Sequence, residues 1–138
     1  METRENNIAI IYLKNKLVWN DKVLPICFSN NYFPIRDGQL ATFSGSNFLS
    51  VETDSPYVHF SIVKKLNNRF NKDCQKNDLL CTKRNSVKNS LNEGGPLTIC
   101  QDSKRCVLAG ILSYIKEDVN LLVFTNISKH INWIEDHL

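Results

Sequence analysis

Along the 138-residue chain, apolar residues gather in short runs set off by clusters of Asn, Asp, Gly and Pro, the rhythm of strands joined by turns. Asn7-Ile8-Ala9-Ile10-Ile11-Tyr12-Leu13 is rich in branched apolar residues and predicts a buried strand near the start, as if the chain began inside a fold. Residues 14–20 are polar and turn-like, and Val23-Leu24-Pro25-Ile26-Cys27 is extended. Asn30-Asn31 and Asp37-Gly38 mark turns around Phe33-Pro34-Ile35, and Gln39-Leu40-Ala41-Thr42-Phe43-Ser44 predicts a strand. Tyr57-Val58-His59-Phe60-Ser61-Ile62-Val63 alternates like a half-buried strand, and residues 66–70 form a short helix or turn that ends near Cys74. Extended structure resumes at Leu79-Leu80-Cys81. Residues 97–100 and 106–114 predict a hairpin across Gln101-Asp102-Ser103-Lys104-Arg105, and residues 119–125 predict a further strand. The period then changes: Ile127, Ile131, Trp133, Ile134 and Leu138 are spaced for an amphipathic helix, with Ser128 as its N-cap.

Composition narrows the setting. Fractions of 42% apolar and 22% charged residues are those of an ordinary globular protein, and this length suits one domain burying roughly two thirds of its unfolded surface. No apolar run is long enough for a membrane-spanning helix, so a membrane is not an expected partner. The formal charge of +3 comes from Lys and Arg scattered among Asp and Glu, which gives nucleic acid no footprint either. The densest group, Lys64-Lys65 with Arg69 and Lys72, reads as the solvated face of a short helix; an acidic partner or heparin-like surface is the sharper alternative. Five cysteines in so short a chain favour an oxidising compartment, and the odd count leaves one to pair outside the chain or stay free. There is no Cys-x-x-Cys pair, and no metal or cofactor is implied. Met1-Glu2-Thr3-Arg4-Glu5-Asn6-Asn7 is charged and polar, unlike a secretory signal, so a secreted protein carrying this sequence would lack its true beginning.

The chain is organised around Asn92-Glu93-Gly94-Gly95-Pro96-Leu97, reached through Leu80-Cys81-Thr82 and left through Cys100. Two glycines and a proline beside an apolar strand describe a tight backbone passage. Its surroundings give it meaning. Asn6-Asn7-Ile8-Ala9-Ile10-Ile11, a polar connection and Val23-Leu24-Pro25-Ile26-Cys27 resemble the segment linking the two barrels of a chymotrypsin-type serine protease. Val123-Phe124-Thr125-Asn126-Ile127-Ser128-Lys129-His130-Ile131-Asn132-Trp133-Ile134 resembles the stretch that closes that fold, and Gly94-Gly95-Pro96 its Gly-Asp-Ser-Gly-Gly-Pro motif. The likeness runs over nearly the whole chain and is weakest over residues 28–55. It implies an all-β fold: the C-terminal six-stranded antiparallel β-barrel of the trypsin-like two-barrel architecture, with a closing C-terminal α-helix. Residues 1–27 would be the inter-barrel segment, 28–126 the second barrel and 127–138 the helix.

Peptide hydrolysis on this scaffold needs a hydroxyl nucleophile, a histidine base, a carboxylate that holds the base in its tautomer, and backbone N–H donors for the oxyanion. In the alignment the resemblance implies, Glu93 stands in the nucleophile's place and Asn7 in that of the carboxylate. Asn92 replaces the aspartate that pairs with the new amino terminus after zymogen cleavage, and Leu91 replaces a glycine of the oxyanion hole. The base belongs to a first barrel that this chain does not contain; His59, His130 and His137 match no catalytic position and read as surface or packed residues. In the specificity pocket, Val87 lies where a trypsin-like enzyme carries its floor aspartate, and Ile115 and Leu122 lie where glycines keep the walls open. Asn89 occupies one position of the pocket-wall disulfide, and the loop Lys116-Glu117-Asp118 is short. Glu93 itself reads as a solvated acid or, more sharply, as an acceptor for a partner's cation or nearby N–H groups.

The resemblance also implies that Cys74 and Cys81 close the loop before the nucleophile position. Cys100 sits near a family cysteine whose partner would lie near Gln39 or Leu40, where there is none, and Cys106 across the hairpin is the local alternative. Cys27 is left over, where many relatives tie the domain to a light chain or propeptide; a buried free thiol is the other reading. Asn126-Ile127-Ser128 is an N-glycosylation sequon. The expectation is a catalytically inactive, secreted serine protease homologue, an extracellular binding or regulatory module such as the arthropod clip-domain homologues that assist immune protease cascades. Its partner would be a protease, an inhibitor or the missing first barrel, and the apolar face of a half-fold would favour self-association. A fragment of an active serine-type endopeptidase is the first alternative, and an unrelated all-β secreted binding protein the second.

Overall fold

The computed structural model describes residues 6–28, 35–36, 38–44, the backbone of 57–61, 74, 76, 78–83, 92–101 and 105–138. Strands β1 (Cys27–Phe28), β2 (Leu40–Ser44), β3 (Tyr57–Ser61), β4 (Leu79–Lys83), β5 (Pro96–Cys100), β6 (Cys106–Lys116) and β7 (Leu121–Asn126) are followed by the short helix α1 (Ile131–Glu135). Six of them form an antiparallel path, β3-β2-β5-β6-β7-β4, whose two end strands lie in contact, so the sheet curls towards a barrel. The seventh, β1, continues the segment expected to be extended through Cys27, but its pairing was not expected: it lies parallel to the start of β6, Cys27 beside Val107 and Phe28 beside Leu108. It takes the side of β6 that β7 leaves bare, since β7 pairs with β6 only from Gly110 onward.

The alternation of β7 explains where the core sits. Leu122 and Phe124 point into the barrel beside Phe43, Leu80, Leu97, Ile99 and Leu112, while Leu121 and Val123 point outward onto the Cys74–Cys81 side. Both faces of this strand are therefore buried. The Phe43 and Phe124 rings meet edge-on at 6.2 Å between centroids, and each fully buried ring contributes about 1.5–3 kcal/mol. Outside the barrel, the Cys74–Cys81 bridge covers the β4–β7 pair with Tyr114 and Val119. Closing so short a loop is worth about 2–3 kcal/mol.

Two expectations fail at the chain's ends. Residues 7–13 are not a buried strand: they join no ladder among the described residues, and every residue from 11 to 22 is exposed, Ile11 at 83%. Described strands flank the stretch of β6 nearest them, leaving the segment to run as a strap over the surface. The closing helix is also shorter than the period predicts. Ile127–Lys129 makes a 3-10 turn first, capped not by Ser128 but by Asn126, whose side chain accepts the Ser128 N–H; α1 then spans Ile131–Glu135. The apolar spacing spans both turns because Ile127 and Ile134 are both buried, which satisfies a helical period without one continuous helix. The strands expected at 106–114 and 119–125 are shifted by up to two residues at their ends. Predictions over residues 30–34, 62–73 and 84–91 lie outside the described residues, the basic group at Lys64 included.

Candidate functional site

The Gly-Gly-Pro passage is a β-turn. Gly95 N–H donates to Asn92 O at 3.2 Å, and Gly94, third in the turn, has φ +86°, the type II pattern that admits glycine there almost alone. Glu93 occupies the corner and is exposed, as is Asn92. The next residue fixes the turn's depth: a Cβ on Gly95 would lie 2.4 Å from Phe43 Cζ, so the turn rests directly on a buried ring.

The turn is tied to β6 at one residue. Gly94 N–H donates to Leu112 O at 2.8 Å and Leu112 N–H to Gly95 O at 2.9 Å. Immediately after Leu112 the register with β7 slips, because Leu112 faces Phe124 while Tyr114 faces Val123. Ser113 is the extra residue of this bulge, a device that re-aims one side chain. Its hydroxyl is fully buried and accepts a hydrogen bond from Asn7 Nδ2 at 2.9 Å, while Thr125 Oγ1 donates to Asn7 O at 2.9 Å. Asn7 is thus clipped to two strands at once, next to the turn that carries Glu93.

Ser113 and Thr125 were not singled out from the sequence. The signal was there for Ser113: it is the one polar residue within the apolar run from Val107 to Ile115. Thr125 gave none, since threonine is ordinary in a strand.

Histidine is engaged elsewhere. His130 is buried at the start of α1 with Nε2 lacking any partner, and His137 Nδ1 lies 2.7 Å from Trp133 O with the two rings 4.8 Å apart. The ring of His59 lies outside the described side chains; its backbone is in β3 opposite Thr42.

Ile115 and Leu122 are brought together as directly opposed residues of β6 and β7, Leu122 fully buried and Ile115 packed on the barrel core. The strands are joined beside them by a 3-10 turn, Glu117–Val119, that ends in left-handed Asn120. Val87, Asn89 and Leu91 lie outside the described residues. Among the described residues no group of three His, Cys, Asp or Glu side chains comes together to hold a metal.

This arrangement, a barrel closed by a C-terminal helix with a Gly-Gly-Pro turn seated on a bulged strand, agrees with comparison to known families. The family model described as Trypsin matches residues 1–134. The chain belongs to the trypsin family. The reading as an unrelated all-β binding protein therefore falls.

Against the trypsin-family frame, the cysteines resolve cleanly. Cys74 bonds to Cys81 and Cys100 to Cys106, the latter pair directly opposite in the β5–β6 ladder. Cys27 is free and exposed on β1, not buried. Asn126 is buried: its Oδ1 accepts from both the Ser128 N–H, at 3.2 Å, and the Ser128 hydroxyl, at 2.9 Å. The sequon's two polar residues are thereby spent on capping a turn.

Proposed function

We propose that this trypsin-family domain is a catalytically inactive serine protease homologue, an extracellular module that binds protein rather than cutting it. The observation that carries the reading is Glu93 at the exposed corner of the turn where the family places its nucleophile. A carboxylate attacking an amide would produce a mixed anhydride, and no described imidazole stands by to relay protons. The position lies in this chain's own half of the fold, which supports the inactive reading. That weighs against a fragment of an active protease.

Asn7 supports the same reading. Its amide spends a donor on Ser113, and an amide cannot furnish the negative charge that stabilises an imidazolium. Ile115 and Leu122 fill the strand pair where an open slot would need small residues. What remains is a rigid turn that presents a carboxylate, suited to a cation on a partner protease or inhibitor. The two disulfides suit secretion, and no helix among the described residues is long and apolar enough to cross a membrane.

A fluorophosphonate probe tests the proposal, since covalent labelling requires an activated serine. Neither the native chain nor a Glu93→Ser variant is expected to label, because the variant regains a hydroxyl without a base. Labelling of the native chain would overturn the reading.

A further inference from the structure

We propose that Asn126-Ile127-Ser128 is a modification site gated by folding: Asn126 takes an N-linked glycan only while the C-terminal turn is open, and closure of that turn shuts the site. The triplet is the chain's one match to the acceptor pattern Asn-x-Ser/Thr. Such acceptors normally stand on exposed loops, because the glycan is bulky and must lie in solvent. This one does not.

The burial is local and complete. Asn126 is 7% exposed, and Ile127, in the middle of the triplet, only 1%. Asn126 ends β7, where its N–H donates to Asp78 O at 2.9 Å and its ladder partner on β6 is Gly110. The strands press together there: even a methyl group on Gly110 would come within 2.9 Å of Phe124 Cβ. The Asn126 Oδ1 accepts both the N–H and the hydroxyl of Ser128, so the hydroxyl that completes the acceptor pattern is held in a cap. Above it, His130 N–H donates to Ile127 O and Ile134 N–H to His130 O, with the Ile134 side chain buried. The triplet is thus sealed beneath the start of α1.

Glycan transfer requires the reverse arrangement. Asn126 Nδ2 forms a bond to the anomeric carbon of a lipid-diphosphate-linked oligosaccharide. The bond from that carbon to the diphosphate oxygen breaks, the lipid diphosphate leaves with the electron pair, and the amide nitrogen gives up one proton. For this the carboxamide must swing out of the barrel wall, which undoes the cap and lifts Ile127 from the core. A sugar left on Nδ2 then has no room to follow the side chain back. Closure and modification are therefore alternatives, and whichever comes first excludes the other. A glycan at Asn126 marks a chain whose barrel has not sealed.

The native chain meets such a donor only if it is extracellular, as proposed above; the test supplies the donor directly and does not depend on that reading. With purified oligosaccharyl transferase and lipid-linked donor, the folded 138-residue protein should be modified at least tenfold more slowly than the same chain reduced and S-alkylated. Ile134→Asp, which unseats α1 and leaves the triplet intact, should move the rate towards that of the open chain. Asn126→Gln should abolish modification in every form. Sent through a eukaryotic secretory route behind an added signal peptide, the protein recovered folded should carry a glycan on fewer than one chain in ten. Equal rates for folded and open chains would overturn the proposal, as would an open chain that takes no glycan or an Ile134→Asp variant no faster than the native protein. So would a glycan on Asn126 of secreted protein that keeps the native circular dichroism.

Discussion

Two stretches of similar apolar richness meet opposite fates. In β7 every residue is buried, whereas residues 11–22 are exposed without exception although they include Ile11, Leu13, Leu17, Val18 and Trp19. The difference is neighbours rather than composition. β7 has a strand on each side and packing on both faces; among the described residues the strap is held at points, through Asn7 and Tyr12, rather than along a ladder. Burial follows from available ladder partners and a facing layer. Apolar side chains denied both stay exposed, so the barrel carries the stability.

Substitutions on the two sides should separate accordingly. Phe124→Ala removes a fully buried ring that touches Phe43 and should cost about 3–5 kcal/mol in urea unfolding, a large share of a domain's stability. Gly95→Ala drives a methyl group into the Phe43 ring, which is itself fully buried, and should cost about 1–3 kcal/mol. A value near zero there would mean that the turn is not seated on the core. Asn126→Ala deletes the cap on the turn before α1 and should cost about 1 kcal/mol. At the small end, Trp19→Ser, measured in dilute solution, should change stability by no more than about 0.5 kcal/mol. A large loss from that variant would place the strap inside the folding unit and erase the contrast.

Much of the barrel was legible in the sequence because β2, β4, β5, β6 and β7 are apolar runs bounded by strong turn residues, where period and punctuation agree. The strap was misread for a physical reason: Ile8-Ala9-Ile10-Ile11 has strand composition, and composition does not reveal whether a neighbouring edge is free. The parallel pairing of β1 escaped for the converse reason, since two residues on a neighbouring edge leave no periodic trace. The helix was overextended because Ile127 and Ile134 keep a helical phase across two separate turns. At the site, the Gly94-Gly95-Pro96 turn and the candidate residues Glu93 and Asn7 were visible in one dimension. The bulge that aims Ser113 at Asn7 was not, because it arises from a register slip between β6 and β7 that neither strand displays alone.

Loss of bond-cutting chemistry is the central claim, and turnover of a peptide substrate by the purified 138-residue protein tests it most directly. The expected result is no cleavage above the rate in buffer, before and after replacement of Glu93. Cleavage that a single substitution in this chain abolishes would contradict the account.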